Sequence, residues 1–191
     1  MDSKLQIISG KFRGKKLHLP PNARPTQNKA RIALFNMLDN ILRSTDNGLR
    51  ITAWDAFAGS GAFGIEFLSR EWASRVIFTD IDTKTVEKNL APFDAGTYVM
   101  RKKNAMAAIA DYAPHVDIVF VDPPWDAPKM GEKFVREFAS HARPGTIIIW
   151  ETEIQATAEF ENLSIIKDKQ YGRARFLILE KRDSDATTNI T

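Results

Sequence analysis

The sequence contains no cysteine. That removes disulfides and thiolate chemistry, and it fits a reducing compartment. Histidine is nearly as scarce: His18, His115 and His141 are too scattered to suggest a metal site. No apolar run approaches the roughly 20 residues needed to span a bilayer, and the first residues do not read as a signal peptide. The expectation is a cytoplasmic, monomeric protein with no metal and no membrane partner. At 191 residues and 43% hydrophobic, the chain can bury a substantial core as one domain with a small appendage.

Acid is almost missing from the start. Residues 1–31 carry eight Lys/Arg and a single carboxylate, Asp2, whereas the other 160 residues hold 19 basic and 23 acidic groups. A basic arm on a mildly acidic body suits a polyanionic partner met on one side. The arm has its own pattern. Leu5–Ser9 and Lys15–Leu19 are strand-like, with Gly10 and Gly14 bracketing a turn, so a hairpin would gather Lys11, Arg13, Lys15 and Lys16 at one tip. Gly10 to Lys16 falls one residue short of a phosphate-binding P-loop and lacks its Ser/Thr. Pro20-Pro21 and Arg24-Pro25-Thr26 form an extended connector.

From Asn28 to Arg43 the apolar residues Ala30, Leu34, Met37, Leu38, Ile41 and Leu42 fall on one helical stripe. Lys29 and Arg31 lie in the first turn, where the helix dipole disfavours positive charge. Either an anion meets them or they are ordinary surface cations.

Beyond residue 50, strands alternate with helices. Strands are expected at Ile51–Ala56, Arg75–Asp80, Thr97–Arg101, Val116–Asp122 and Thr146–Glu151, with helices at about 62–72, 83–91, 104–112 and 129–141. Such alternation predicts an α/β fold with a mostly parallel sheet and helices on both faces. Leu163–Lys167 and Ala174–Glu180 follow without a helix between them and predict an antiparallel edge hairpin at the C-terminal end. The expected organisation is a hairpin and connector over 1–27, one domain over 28–182 and a polar tail over 183–191.

Asp55-Ala56-Phe57-Ala58-Gly59-Ser60-Gly61-Ala62-Phe63-Gly64 follows the first strand and opens a helix. Gly59 and Gly61 allow a tight turn and close ligand approach, and Gly64 allows close helix–sheet packing. Asp80 ends the next strand, where an acid can accept hydrogen bonds from both ribose hydroxyls of an adenosine. Asp55 separates two adenosine cofactors. A carboxylate repels a pyrophosphate but attracts an amino-acid ammonium or a sulfonium, which favours S-adenosylmethionine over NAD.

Val116 to Val121 reads as a strand buried on both faces, and it ends in Asp122-Pro123-Pro124-Trp125. The prolines cannot continue a ladder, so Asp122 is presented at the carboxyl end, where open α/β sheets bind ligands. The tetrapeptide matches the [Asn/Asp/Ser]-Pro-Pro-aromatic motif of methyltransferases acting on planar amino groups. The Asp122 carboxylate and Pro123 carbonyl can accept the two N–H bonds of such an amine and aim its lone pair. Pro124 stiffens the loop, and Trp125 offers a stacking face worth roughly 1–3 kcal/mol.

Taken together, these stretches resemble the RsmD family of bacterial 16S ribosomal RNA guanine-N2 methyltransferases. The resemblance is carried by Ile8-Ser9-Gly10-Lys11-Phe12-Arg13-Gly14, by Arg24-Pro25-Thr26 with Arg31 and Leu34-Phe35-Asn36, by the glycine loop, and by Phe120-Val121-Asp122-Pro123-Pro124. It implies a Rossmann-like methyltransferase fold with a seven-stranded sheet, S-adenosylmethionine as donor, and 16S RNA in the small subunit or an assembly intermediate as substrate. By position, Asp55, Phe57, Gly59, Ser60 and Gly61 would cradle the methionine part. Asp80 and Ile81 would border the ribose, and Asn104 and Ala105 the adenine. Lys11, Arg13, Arg24, Lys29 and Arg31 would face RNA. The alternative is methylation of another nucleic-acid amino group, such as adenine N6 in DNA or RNA. An NAD-linked oxidoreductase would leave Asp55, Asp122 and the arm unexplained.

Overall fold

A computed structural model describes residues 5–21, 28–43, 51–124, 127–152 and 160–183. The apolar stripe after the connector forms α1 (Asn28–Arg43), and the alternating segments form β1 (Ile51–Asp55), α2 (Ala62–Ser69), β2 (Ala73–Asp80), α3 (Lys84–Leu90), β3 (Tyr98–Lys102), α4 (Ala105–Tyr112), β4 (Ile118–Val121), α5 (Pro128–His141) and β5 (Ile147–Thr152). β6 (Leu163–Tyr171) and β7 (Ala174–Lys181) close the chain as an antiparallel pair. The seven strands lie in the order β3-β2-β1-β4-β5-β7-β6. The first five are parallel, and β7 joins β5 antiparallel. The order reverses between β1 and β4, and this reversal opens a crevice at the strands' carboxyl ends.

Strand side chains alternate between two cores. Ala53, Val76, Phe78, Ile118, Phe120, Ile147 and Ile149 face α1, α2 and α3. Trp54, Ile77, Val119, Val121, Ile148 and Trp150 face α4 and α5. Both sheet faces are therefore covered, which is why β4 and β5 are buried at every position without alternation.

The expected arm appears as an antiparallel pairing narrowed to one bridge, Gln6 with Lys16. It is not laid outside the core. Leu5, Ile7 and Leu17 are buried in the α1–α3 layer. The turn lies so close to α2 that a Cβ on Gly10 would fall 1.8 Å from the Ser69 carbonyl oxygen. Lys11 N–H donates to that carbonyl at 2.7 Å, and Phe12 N–H donates to the Ser69 hydroxyl at 3.1 Å. Residues 22–27 and 184–191, which belong to the expected connector and tail, lie outside the described residues.

Two boundaries differ from expectation by three residues or more. α2 stops at Ser69 rather than near 72, because Glu71 takes φ 57° and Trp72 N–H bonds back to the Phe67 carbonyl. This is a left-handed helix stop made without glycine, so the sequence carried no breaker. β6 runs to Tyr171 rather than Lys167. Its pairing continues to the Gly172-Arg173 turn, with Tyr171 opposite Ala174. The polar Lys167–Gln170 run sits on an exposed sheet edge, where charged side chains also discourage further pairing.

Candidate active site

Each of β1, β2 and β5 carries an acid at or next to its carboxyl end, and Asp122 follows β4 directly. Asp55, Asp80, Asp122 and Glu151 share one side-chain parity, that of the residues facing α1–α3, and all four line one cavity of about 880 Å³. The register sets their heights. Asp55 lies level with Phe78 and Phe120, so Asp80 and Asp122 stand two residues further along on either side of it. Val121 lies level with Trp150, which puts Asp122 and Glu151 side by side on neighbouring strands. Among the described residues no three such groups come close enough to hold a metal ion.

The glycine loop is fixed from below. Gly59 N–H donates to one Asp80 carboxylate oxygen at 2.7 Å and Asp82 N–H to the other at 3.0 Å. Gly64 N–H donates to Asp55 at 3.0 Å. The Asn89 amide donates to the Ser60 carbonyl at 2.8 Å and to the His18 carbonyl at 3.0 Å, joining the loop to the arm. Gly64 packs where expected, since a Cβ there would lie 2.4 Å from the Phe78 ring. Gly61 is placed differently from Gly59 and Ser60. It takes φ 76°, and a Cβ there would meet Val86 at 2.6 Å. Its glycine serves the turn and the α3 contact, and it is not on the cavity wall.

The other expected cofactor residues, Asp55, Phe57, Gly59, Ser60, Asp80, Ile81, Asn104 and Ala105, all line the cavity, as do Asp122, Pro123 and Pro124. Asn104 also caps α4, its side-chain oxygen accepting Met106 N–H at 2.9 Å. Ile81 is 70% exposed, an apolar side chain held at the mouth. Trp125 and Arg24 lie outside the described residues.

Burial and like charge act together on the acids. Asp55 is 1% exposed, and desolvation pushes its carboxyl up to about 7; the Gly64 N–H opposes this and Asp80 adds to it. Asp122 is raised well above the usual carboxylate range, first by desolvation, then by Glu151 and by Asp55. Asp122 is half-buried and lines the cavity, with Glu151 and Asp55 as its acidic neighbours.

The basic residues divide. Lys11, Arg13, Lys15, Lys16 and Lys29 are exposed and lie off the cavity wall. Arg31, expected to face RNA, is 5% exposed. Its guanidinium donates to the Gln6 carbonyl at 3.0 Å and the Ala62 carbonyl at 3.2 Å, and lies 3.7 Å from Glu66. The anion that meets this first-turn cation is one of the protein's own carboxylates. Arg31 does reach the cavity wall, as does Arg173 of the β6–β7 turn.

Two acids, one on the cavity wall and one behind the arm, escaped the sequence reading. Glu151 could have been found by asking which parallel strands end in an acid. Glu66 has no such signal, being a polar residue on an otherwise apolar helix.

Residues 5–180 match the model of a family described as conserved hypothetical protein 95. This chain belongs to that family, the RsmD family. It is 38% identical over 126 residues to the Ribosomal RNA small subunit methyltransferase D of Escherichia coli, covering 63% of this chain and 60% of that protein. To the protein of the same name from Haemophilus influenzae it is 31% identical over 183 residues, covering 88% and 89%. The solved structure of the Escherichia coli protein yhhF superposes with a TM-score of 0.76 at 32% identity, covering 93% of this chain and 97% of that one. The fold is the Rossmann-like methyltransferase fold of these relatives.

Proposed function

We propose that this RsmD-family protein transfers a methyl group from S-adenosylmethionine to the exocyclic N2 amino group of a guanine in 16S ribosomal RNA of the small subunit or its assembly intermediate. The observation that carries the reading is the shared cavity. Asp55 and Asp80 on its cofactor side and Asp122-Pro123-Pro124 on its acceptor side face one space, on neighbouring strands of the sheet. The volume lies near the top of the range for drug-sized ligands, enough for a nucleoside cofactor with a base beside it. The relatives' names, small-subunit ribosomal RNA methyltransferase, support the substrate.

The residues present fit the cofactor. Each Asp80 oxygen accepts one backbone N–H and retains a lone pair for a ribose hydroxyl. Asp55 is buried and acidic, so a cation beside it recovers the energy of ionising it. The same burial would make a pyrophosphate strongly unfavourable there. S-adenosylmethionine, when bound, supplies an electrophilic methyl carbon and keeps the electron pair of its broken C–S bond as a neutral thioether.

Asp122 and the Pro123 carbonyl accept the two N–H bonds of the guanine amine, turning its lone pair toward the methyl carbon. The nitrogen lone pair forms the new N–C bond. The surplus proton leaves nitrogen to the Asp122 carboxylate and passes from there to solvent.

The basic tip works at a distance. The arm runs along α2 from the cavity, which Leu19, Pro20 and Pro21 line, to Ser69 at the helix's far end. α2 has 8 residues, so Lys11 and Arg13 sit about 12 Å from the cavity. They would hold phosphates flanking the target nucleotide, positioning the RNA without reading its sequence.

The deciding experiment incubates purified protein with labelled S-adenosylmethionine and small subunits lacking the modification, then digests the RNA to nucleosides. N2-methylguanosine is the expected product. Label in adenine, or DNA preferred over RNA, would overturn the reading.

A further inference from the structure

Asp122 alone does not choose a base, because any exocyclic amine can donate to it. Glu151 stands beside it. β4 and β5 are hydrogen-bonded parallel neighbours with Val121 level with Trp150, and the next residue on each strand is one of the two acids. Both line the same cavity. Glu151 is 4% exposed, so it belongs to the wall and not the rim. Paired strands lie about 4.8 Å apart, the scale on which two acceptors can bracket adjacent donors on one ring edge. Buried Arg31 lines the same cavity, and Glu151 is one of the carboxylates whose charge favours its guanidinium against the cost of burial.

Guanine presents that pair of donors: N1–H stands directly beside the N2 amino group. Adenine presents its amine beside N1 as a bare lone pair. An acceptor fixed next to Asp122 therefore completes a hydrogen bond with guanine and meets a lone pair on adenine. Polar mismatches of this kind discriminate far more strongly than shape does.

We propose that Glu151 accepts the N1–H of the target guanine while Asp122 holds its N2 amino group, so that the two carboxylates together select guanine against adenine. This rests on the guanine reading above and adds the residue that enforces it. Glu151 is a specificity residue on the acceptor side. Asp55 and Asp80 hold the cofactor without it.

The test uses small subunits reconstituted with RNA carrying either guanosine or 2-aminopurine riboside at the mapped methylation position. 2-Aminopurine keeps the 2-amino group but has a lone pair at N1. The wild-type protein is expected to favour guanosine by at least about 100-fold in kcat/KM. Glu151→Gln, whose amide can donate to a bare N1, is expected to bring the two substrates within about tenfold or invert them, with cofactor affinity unchanged. The ratio between proteins cancels the intrinsic reactivity of the two bases. Comparable wild-type rates on both particles would overturn the assignment without any variant being needed. So would a Glu151→Gln protein that loses the same factor on both, the signature of a merely structural role in the cavity wall. Wild-type protein that methylates adenine and leaves guanine untouched would instead bring down the guanine reading itself.

Discussion

The Glu66 carboxylate accepts the Ile8 backbone N–H at 2.8 Å across 58 residues of sequence. Its other oxygen takes Ser9 N–H at 2.9 Å and Arg70 Nε at 2.8 Å, and Arg31 lies 3.7 Å away. Glu66 is fully buried. One side chain thus ties the arm, α1 and α2 into a single body. Glu66→Ala strands two backbone donors and the buried Arg31, which should lower unfolding free energy by about 3–5 kcal/mol. Urea denaturation measures the loss, and hydrogen exchange at Ile8 and Ser9 should accelerate first. A variant within about 1 kcal/mol of wild type would show the arm to be held by its apolar residues alone.

Asp55 links pH to both stability and cofactor binding. Its folded-state pKa, about 7, lies above the unfolded value near 4. Between those limits the folded protein holds more protons than the unfolded chain, so stability falls as pH rises through the window and levels off above it. Asp55→Asn should therefore gain on the order of 1–3 kcal/mol over wild type at pH 8 and little at pH 4. A cationic cofactor prefers the ionised acid. Wild-type affinity should accordingly fall below pH 7, approaching tenfold per pH unit, with protons released on binding. Calorimetry in buffers of different ionisation enthalpy reads that release. A pH-independent affinity shared by wild type and Asp55→Asn would remove Asp55 from the cofactor site.

These two acids also mark what the sequence made legible. Asp55, Asp80 and Asp122 could be read because each closes an apolar run beside a glycine loop, a ribose-binding position or a proline pair, and the parallel order follows from strand–helix alternation. Glu151 ends a similar run, but neither glycine nor proline follows it, so it passed as a strand end. Glu66 was illegible because its partners are backbone groups 57 and 58 residues away, and no local pattern encodes them. For the same reason Arg31 looks like an RNA contact in the sequence and is buried in the fold. Its neighbour Lys29 has the same charge on the same helical turn, and only tertiary packing buries one and exposes the other.

Asp122 should set the pH profile of the reaction. Its carboxyl is raised by desolvation, then by Glu151 and Asp55, and although either form can accept from the amine, only the ionised form can also take its proton. Activity should therefore rise with pH through the Asp122 titration. Asp122→Ala should reduce transfer by at least about 100-fold while leaving cofactor affinity near wild type. Asp122→Asn keeps a carbonyl acceptor that does not titrate, so it should keep partial activity with a flatter ascending limb. Single-turnover rates between pH 6 and 9 make the comparison. An unchanged profile in Asp122→Asn would assign the ascending limb to another group.

The arm's contribution to RNA binding has to be tested by charge and not by deletion. Removing residues 5–21 would also take Leu5, Ile7 and Leu17 out of the core and break the Glu66 hydrogen bonds, so weaker RNA binding would be confounded with unfolding. Lys11, Arg13, Lys15 and Lys16 are exposed at the turn, and replacing them with alanine leaves that packing in place. For every phosphate these side chains neutralise, their removal should reduce the slope of log affinity against log salt by roughly 0.7–0.9. The quadruple variant should therefore bind small-subunit RNA more weakly at low salt and converge on wild type as salt rises. Cofactor affinity should stay constant, because the tip is one helix length from the cavity. Filter binding across a salt series provides the slopes, and equal slopes for variant and wild type would move the RNA-binding surface to another face of the protein.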